Sequence, residues 1–327
     1  MTGISDSFQR PVNYLRISVT DRCNLRCVYC MPEDGVNLMS HDDILTYEEI
    51  YTVAKAAAEL GINKIRLTGG EPLVRAGVPE LVRQLAGIGT IDDIALTTNG
   101  ILLKQYAADL KEAGLRRVNI SLDTLKPEKF ARITRCGSLE DTLEGIEAAH
   151  AAGLTPVKIN VVVMAGINED ELPDFAAKTV TEGWHVRFIE HMPVNGDDSG
   201  TVRLVSVKEM KKRIESLGPL EPYKVIVGNG PAKYFRLPEA TGTIGFITPV
   251  TEHFCINCNR LRLTADGKLR PCLLSEDEID VREALRSGAS ATELMSLLQQ
   301  AIARKPQGHN LTEGSRKKGR PFSQVGG

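Results

Sequence analysis

Apolar and polar positions along the 327-residue chain follow two rhythms. A period of two marks six short runs: YLRISVT (14–20), KIRLT (64–68), DIALTTN (93–99), RVNISLD (117–123), PVKINVVV (156–163) and HVRFIEHM (185–192). Such runs, rich in branched side chains, predict strands. Between them lie segments with helical spacing at 46–61, 77–86, 101–113, 139–152 and 169–182. The first has Thr46 as N-cap, Glu49 to complete a capping box and Gly61 past its end. Strand and helix in regular alternation predict an α/β fold with a parallel sheet and helical crossovers. After about residue 195 the rhythm breaks. A helix is expected at 206–218, then an irregular stretch rich in Gly and Pro. Short strand-like runs follow (YFRL, TIGFIT, RLRLT, KLRPCLL), then helical patterns at 276–286 and 290–304, and an irregular basic tail. The expected division is 1–218 and 219–327.

The strands carry an anomaly. Parallel strands covered by helices are normally apolar on both faces. Here one face of each is apolar and the other polar, with Arg16, Lys64, Arg66, Lys158 and Arg187 in the polar set. An antiparallel sheet with one wet face would show the same alternation, but the intervening helices argue against it. The pattern predicts a barrel, or part of one, with a cavity inside. Buried like charges are untenable without an anion to meet them. A polyphosphate is the simplest such ligand, and the arginine fork suits it.

Composition narrows the partners. The net charge of −2 gives no global pull toward nucleic acid or an anionic membrane, so an anion site must be local. The first residues hold no apolar leader, and no run approaches ~18 apolar residues. The expectation is a cytoplasmic protein with neither nucleic acid nor membrane as partner. In that compartment clustered cysteines read as metal ligands or catalytic groups.

Six of the seven cysteines fall in two groups of three: Cys23, Cys27 and Cys30, then Cys255, Cys258 and Cys272. Cys136 stands apart as a bystander. An iron–sulfur cube is normally held by four thiolates. Three on a short loop leave one iron open to another ligand. For the second group, His253 would complete a Cys3His zinc site, and on spacing alone zinc is slightly ahead.

The run CNLRCVYC, with Tyr29 before its last cysteine, resembles the signature of radical S-adenosylmethionine enzymes. TDRCNLRCVYCMP, IRLTGGEPLVR, TTNG, SLDTL, CINCNRLRLTADGKLRPCL and the terminal GG resemble the molybdenum-cofactor branch of that family over nearly the whole chain. The resemblance implies an incomplete (βα)6 TIM-like barrel with a C-terminal capping domain that carries a second Fe–S cluster. It implies two 4Fe–4S clusters, on Cys23, Cys27 and Cys30 and on Cys255, Cys258 and Cys272, with S-adenosylmethionine as cofactor. Tyr29, Gly70, Ser121 and Met192 would contact that cofactor. Arg16, Arg66, Thr97, Lys158, Arg260, Leu261 and Arg262 would bind GTP, with Lys64 and Arg187 compatible with the same task. Gly326 and Gly327 would enter the pocket and assist catalysis. The implied activity is radical cyclisation of GTP. The implied partners are an electron donor, a downstream cyclic pyranopterin monophosphate synthase and a second copy of the chain. A peptide-modifying radical enzyme and a non-catalytic zinc protein that binds nucleotides or nucleic acid are the alternatives. The inward cations argue against the peptide modifier.

Overall fold

The computed structural model describes residues 3–193, 202–224, 230–311 and 319–326. Its first part runs β1 (Tyr14–Ser18), α1 (Tyr47–Glu59), β2 (Lys64–Thr68), α2 (Val78–Ala86), β3 (Asp93–Thr98), α3 (Leu103–Glu112), β4 (Arg117–Ser121), α4 (Pro127–Thr134), α5 (Leu139–Ala151), β5 (Lys158–Val163), α6 (Leu172–Thr181), β6 (His185–Glu190) and α7 (Val207–Ile214). The remainder holds β7 (Glu221–Pro222), β8 (Lys233–Arg236), β9 (Thr243–Ile247), β10 (Arg260–Leu263), β11 (Lys268–Arg270), β12 (Ile279–Asp280), α8 (Arg282–Arg286), α9 (Ala291–Ala303) and α10 (Phe322–Val325).

Local chemistry accounts for several starts. The Thr46 hydroxyl accepts from the Glu49 N–H while the Glu49 carboxylate accepts from the Thr46 N–H, so α1 opens with the expected capping box. Ser206 with Glu209 opens α7 in the same way, and Ser290 with Glu293 opens α9. Each such cap is worth about 1 kcal/mol. Helix α4 was not expected from the pattern. Its eight residues hold few apolar positions, and it starts because Pro127 occupies the first turn, where a missing N–H costs nothing. The helical pattern at 276–286 yields only α8, because Ile279 and Asp280 pair with β11 instead.

Among the described residues the sheet has twelve strands in the order β12-β11-β10-β1-β2-β3-β4-β5-β6-β9-β8-β7. The six expected strands pair in parallel in sequence order. Two more come from the C-terminal region: β10 pairs in parallel with β1, and β9 with β6. The C-terminal segment therefore continues the sheet at both edges, and hairpin partners extend it antiparallel. Leu15, Ile17, Ile65, Leu67, Phe188 and Phe246 belong to the apolar layer between strands and helices. The opposite face of the same strands lines the cavity.

Candidate functional site

A cavity of about 340 Å³ opens on the polar face. Cys23, Cys27, Cys30, Cys255, Cys258 and Cys272 all line it, with Tyr29, Gly70, Ser121, Met192, Arg16, Arg66, Thr97, Lys158, Arg187, Arg260 and Arg262. The structure thus gathers residues spread over most of the chain. Leu261 is not among them. It lies between two cavity-facing arginines on β10, so its side chain turns to the other face and packs in the apolar layer. Lys64 is half-buried but does not reach the cavity lining. Gly326 sits against Ser18 and Thr68, and its carbonyl accepts from Arg262 Nη1 at 3.0 Å. Gly327 lies outside the described residues.

Register fixes where the two triads lie. Tyr14 is opposite Arg260 on the parallel strand β10, so Cys258 precedes the start of the pair. Arg270 is opposite Arg262, which brings Cys272 to the same end. Cys23 follows the other end of β1. At ~3.3 Å per residue the triads are on the order of 15–20 Å apart along the strands. Between them, in register, lies the row Arg262, Arg16, Arg66.

The first triad is built by close backbone packing. The Gly70 N–H donates to the Thr20 carbonyl at 2.8 Å, and the Glu71 N–H to the Arg22 carbonyl at 2.8 Å. A Cβ on Gly70 would sit 2.3 Å from the Arg22 oxygen. The glycine is needed because the strand-two turn presses on the cysteine loop itself. The Glu71 carboxylate accepts from Thr98 Oγ1 and the Asn99 N–H, both at 2.7 Å, and burial still pushes its pKa up to about 7. Tyr29 donates its hydroxyl to Asp123 at 2.7 Å, and the other Asp123 oxygen accepts the Val162 N–H at 2.7 Å. Burial raises Asp123 to about 6. Burial also raises the thiols, Cys23 to about 11, Cys30 to about 12, and Cys27 well above the ordinary range.

The second triad has the opposite setting. Burial pushes the Cys258 thiol up, but the charges of Arg260 and Lys305 outweigh it and bring it down to about 6. Lys305 Nζ lies 3.3 Å from Cys258 Sγ. Among the described residues no three His, Cys, Asp or Glu side chains are grouped to hold one metal ion. Zinc needs its donors within about 2.0–2.3 Å of one point. A cubane spreads its thiolates over separate irons. The donor type, three thiolates in each group, fits 4Fe–4S clusters. His253 is exposed and stacks on His309, ring centroids 4.4 Å apart.

The cations between the triads are strained by one another. Arg66, Lys158, Arg187 and Arg262 are each no more than 7% exposed. Burial and then Arg262 drive Arg16 well below the ordinary guanidinium range. Burial and Arg260 bring Arg262 to about 10, and burial with Arg187 brings Lys158 to about 6. Arg66 donates Nε–H to the Tyr14 hydroxyl and Nη1–H to Thr97 Oγ1, the latter at 3.3 Å. Arg187 Nε, Asn119 Oδ1 and Asn160 Oδ1 are buried with no protein partner. The unmet groups are both donors and acceptors, which suits an anion that also carries N–H or O–H groups. Sequence reasoning missed Asn119 and Asn160 as site residues, although strand parity placed both on the polar face. It missed Lys305 too, which no motif marks.

Comparison with known proteins agrees with this geometry. The Radical SAM superfamily profile matches residues 17–178, and the Molybdenum Cofactor Synthesis C profile matches 184–311. The GTP 3′,8-cyclase of Pelotomaculum thermopropionicum is 56% identical over 326 residues, 99% of this chain and 100% of that one. That of Moorella thermoacetica is 54% identical over 324 residues, with 99% and 100% covered. Streptococcus suis SuiB bound to S-adenosylmethionine shares the fold, with a TM-score of 0.61 at 13% identity over 83% of this chain and 64% of that one. Among the described residues no helix is long and apolar enough to cross a membrane. Identity above one half along the full length leaves a single placement: the chain belongs to the GTP 3′,8-cyclase family of radical S-adenosylmethionine enzymes.

Proposed function

We propose that the chain converts GTP to (8S)-3′,8-cyclo-7,8-dihydroguanosine 5′-triphosphate, the first step of molybdenum-cofactor synthesis. The observation that carries the reading is the row Arg262, Arg16, Arg66, its two flanking arginines buried and Arg16 half-buried, placed between two cysteine triads in one cavity. A triphosphate answers that charge, and a nucleoside brings donors for Asn119 and Asn160.

Cys23, Cys27 and Cys30 hold one 4Fe–4S cluster, and Cys255, Cys258 and Cys272 hold the other. With S-adenosylmethionine bound, the first cluster supplies a 5′-deoxyadenosyl radical. The rest of the work is positioning by the protein. Tyr29, Gly70, Ser121 and Met192 frame the cofactor. Arg16, Arg66, Lys158, Arg260 and Arg262, with Thr97, hold the nucleotide. Gripping phosphates that do not react uses remote binding energy to fix the ribose against the radical source. The tail brings Gly326 onto Arg262 and so belongs to the same assembly, with Gly327 as its end. Segment 1–218 serves radical generation and supplies part of the nucleotide cradle, and 219–327 serves the second cluster and completes the substrate site, within one continuous sheet. An electron donor feeds the first cluster, a cyclic pyranopterin monophosphate synthase consumes the product, and the enzyme works as a homodimer in the cytoplasm.

The test is an anaerobic turnover with GTP, S-adenosylmethionine and a reductant, analysed for the cyclised nucleotide. Cys255→Ser should lose the second cluster and the product while keeping the first cluster. Full turnover by that variant would contradict the substrate-binding role of the second site.

A further inference from the structure

Lys305 follows α9 and is only 3% exposed. Its ammonium has three acceptors: the Arg260 carbonyl at 2.9 Å, the Pro271 carbonyl at 3.0 Å and Cys258 Sγ at 3.3 Å. A charged lysine has three protons to donate and a neutral one two, so three acceptors fit the ammonium. The acceptors are placed with purpose. Arg260 comes two residues after Cys258, and Pro271 immediately precedes Cys272. One side chain therefore ties together the two chain segments that carry two of the three thiols, and it touches one sulfur directly.

The surroundings of the two triads differ in sign. The charged neighbours of the first are mixed, Glu71 and Asp123 against Arg26. The charges that weigh most on Cys255 and Cys258, beyond the thiols of the triad, are Arg10, which is paired with Asp6 at 2.6 Å, and the cations Arg260 and Lys305. Arg10 donates to the Cys255 carbonyl at 2.7 Å, and Arg260 lies beside the site.

We propose that Lys305 is a positioning residue that braces Cys258 and Cys272 and raises the reduction potential of the second cluster. The inference rests on reading Cys255, Cys258 and Cys272 as ligands of a 4Fe–4S cluster. One-electron reduction adds a negative charge to that unit. A fixed, buried cation in contact with a ligand sulfur favours the more negative state. Hydrogen bonds to the sulfurs act in the same direction.

The experiment uses anaerobically reconstituted full chains: wild type, Lys305→Met and Lys305→Gln. Iron and labile sulfide are counted, and each cluster is titrated potentiometrically with EPR detection. A Cys255→Ser chain identifies the signal of the first cluster. At fixed poise, the reduced-to-oxidised ratio of the second cluster should fall about tenfold in Lys305→Met, a shift of about 59 mV to lower potential. Lys305→Gln keeps donors without the charge and should move the same way by less. The first cluster should not move in either. A Lys305→Met chain with full iron and an unchanged second potential overturns the inference. Should that chain fail to load the second site, an unchanged potential in Lys305→Gln does so instead. A wild-type chain that binds iron for one cluster only refutes the ligand reading, and the role of Lys305 with it.

Discussion

Lys158 is the cation whose perturbation reports most directly on the anion site. It starts β5, opposite Asn119 on β4 and His185 on β6, and is 4% exposed. Burial, then Arg187, Arg117 and Arg66, lower its pKa from 10.5 to about 6. At pH 8 the free chain then keeps only ~1% of Lys158 charged. A triphosphate in the cavity reverses this, because an opposite charge nearby restores the ammonium. Binding of GTP at pH 8 should therefore take up about one proton. Free GTP brings almost none to release, since the last ionisation of a phosphate lies near pH ~6. His185 does not interfere: burial and then Lys158 hold it near 4, so it stays neutral. The assay is calorimetry in buffers of different ionisation heat, where the slope of the observed enthalpy gives the proton count. Wild type should give about one proton and Lys158→Met about none. Equal uptake in both chains, or none in wild type, would refute the reasoning.

The same residue gives a signed dependence of stability on pH. Its folded pKa lies below its unfolded one, so the unfolded chain binds more protons between pH values near 6 and 10.5. In that window wild-type stability rises with pH through this group. Keeping Lys158 neutral costs about 4 kcal/mol at pH 7.5 and about 2 kcal/mol at pH 9. Lys158→Met should be more stable than wild type at pH 7.5 in anaerobic unfolding, and the gain should shrink by about 2 kcal/mol by pH 9. A gain that grows with pH has the wrong sign.

Three further substitutions test separate parts of the site. Arg16→Met removes the centre of the arginine row, so equilibrium binding of GTP should weaken by about 1.5–3 kcal/mol, roughly 10- to 150-fold; it should also raise the melting temperature of the ligand-free chain, and an unchanged Kd would contradict the cradle. Gly70→Ala forces a Cβ within 2.3 Å of the Arg22 carbonyl, so iron counting should show loss of the first cluster with the second retained; full iron content would show that the loop yields. Tyr29→Phe leaves an Asp123 oxygen without its hydroxyl partner and should cost about 1–3 kcal/mol of stability in anaerobic unfolding; no change would mean that the bond adds nothing net.

The residues that were legible in the sequence share a property: their signal is local. Period-two alternation reveals which face a strand residue takes, so Arg16, Arg66, Lys158 and Arg187 could be assigned to one cavity before any fold was known. Thiols at spacings of three and two residues reveal a shared ligand in the same way. The limits follow from the same physics. Alternation assigns a face and says nothing of what stands opposite. That β10 would flank β1, and so set Arg262 beside Arg16, depends on a pairing between residues far apart in sequence. Loop-closure entropy makes such contacts collective, and no short window encodes them. Several predicted strands ran two residues too long, to Thr20, Asp123 and Met192, because in the first and fourth the alternation of apolar and polar residues continues past the point where the ladder stops. Gly70 was legible as a point of close approach, but its motif does not name the Arg22 carbonyl of the cysteine loop as one of the groups it meets. Lys305 is the clearest case. Forty-seven positions separate it from Cys258. A lysine past the end of a capped helix is, by its neighbours alone, a solvated charge. Only the folded hairpin brings two carbonyls and a sulfur around it, so its role exists at the level of tertiary contact and has no sequence pattern to betray it.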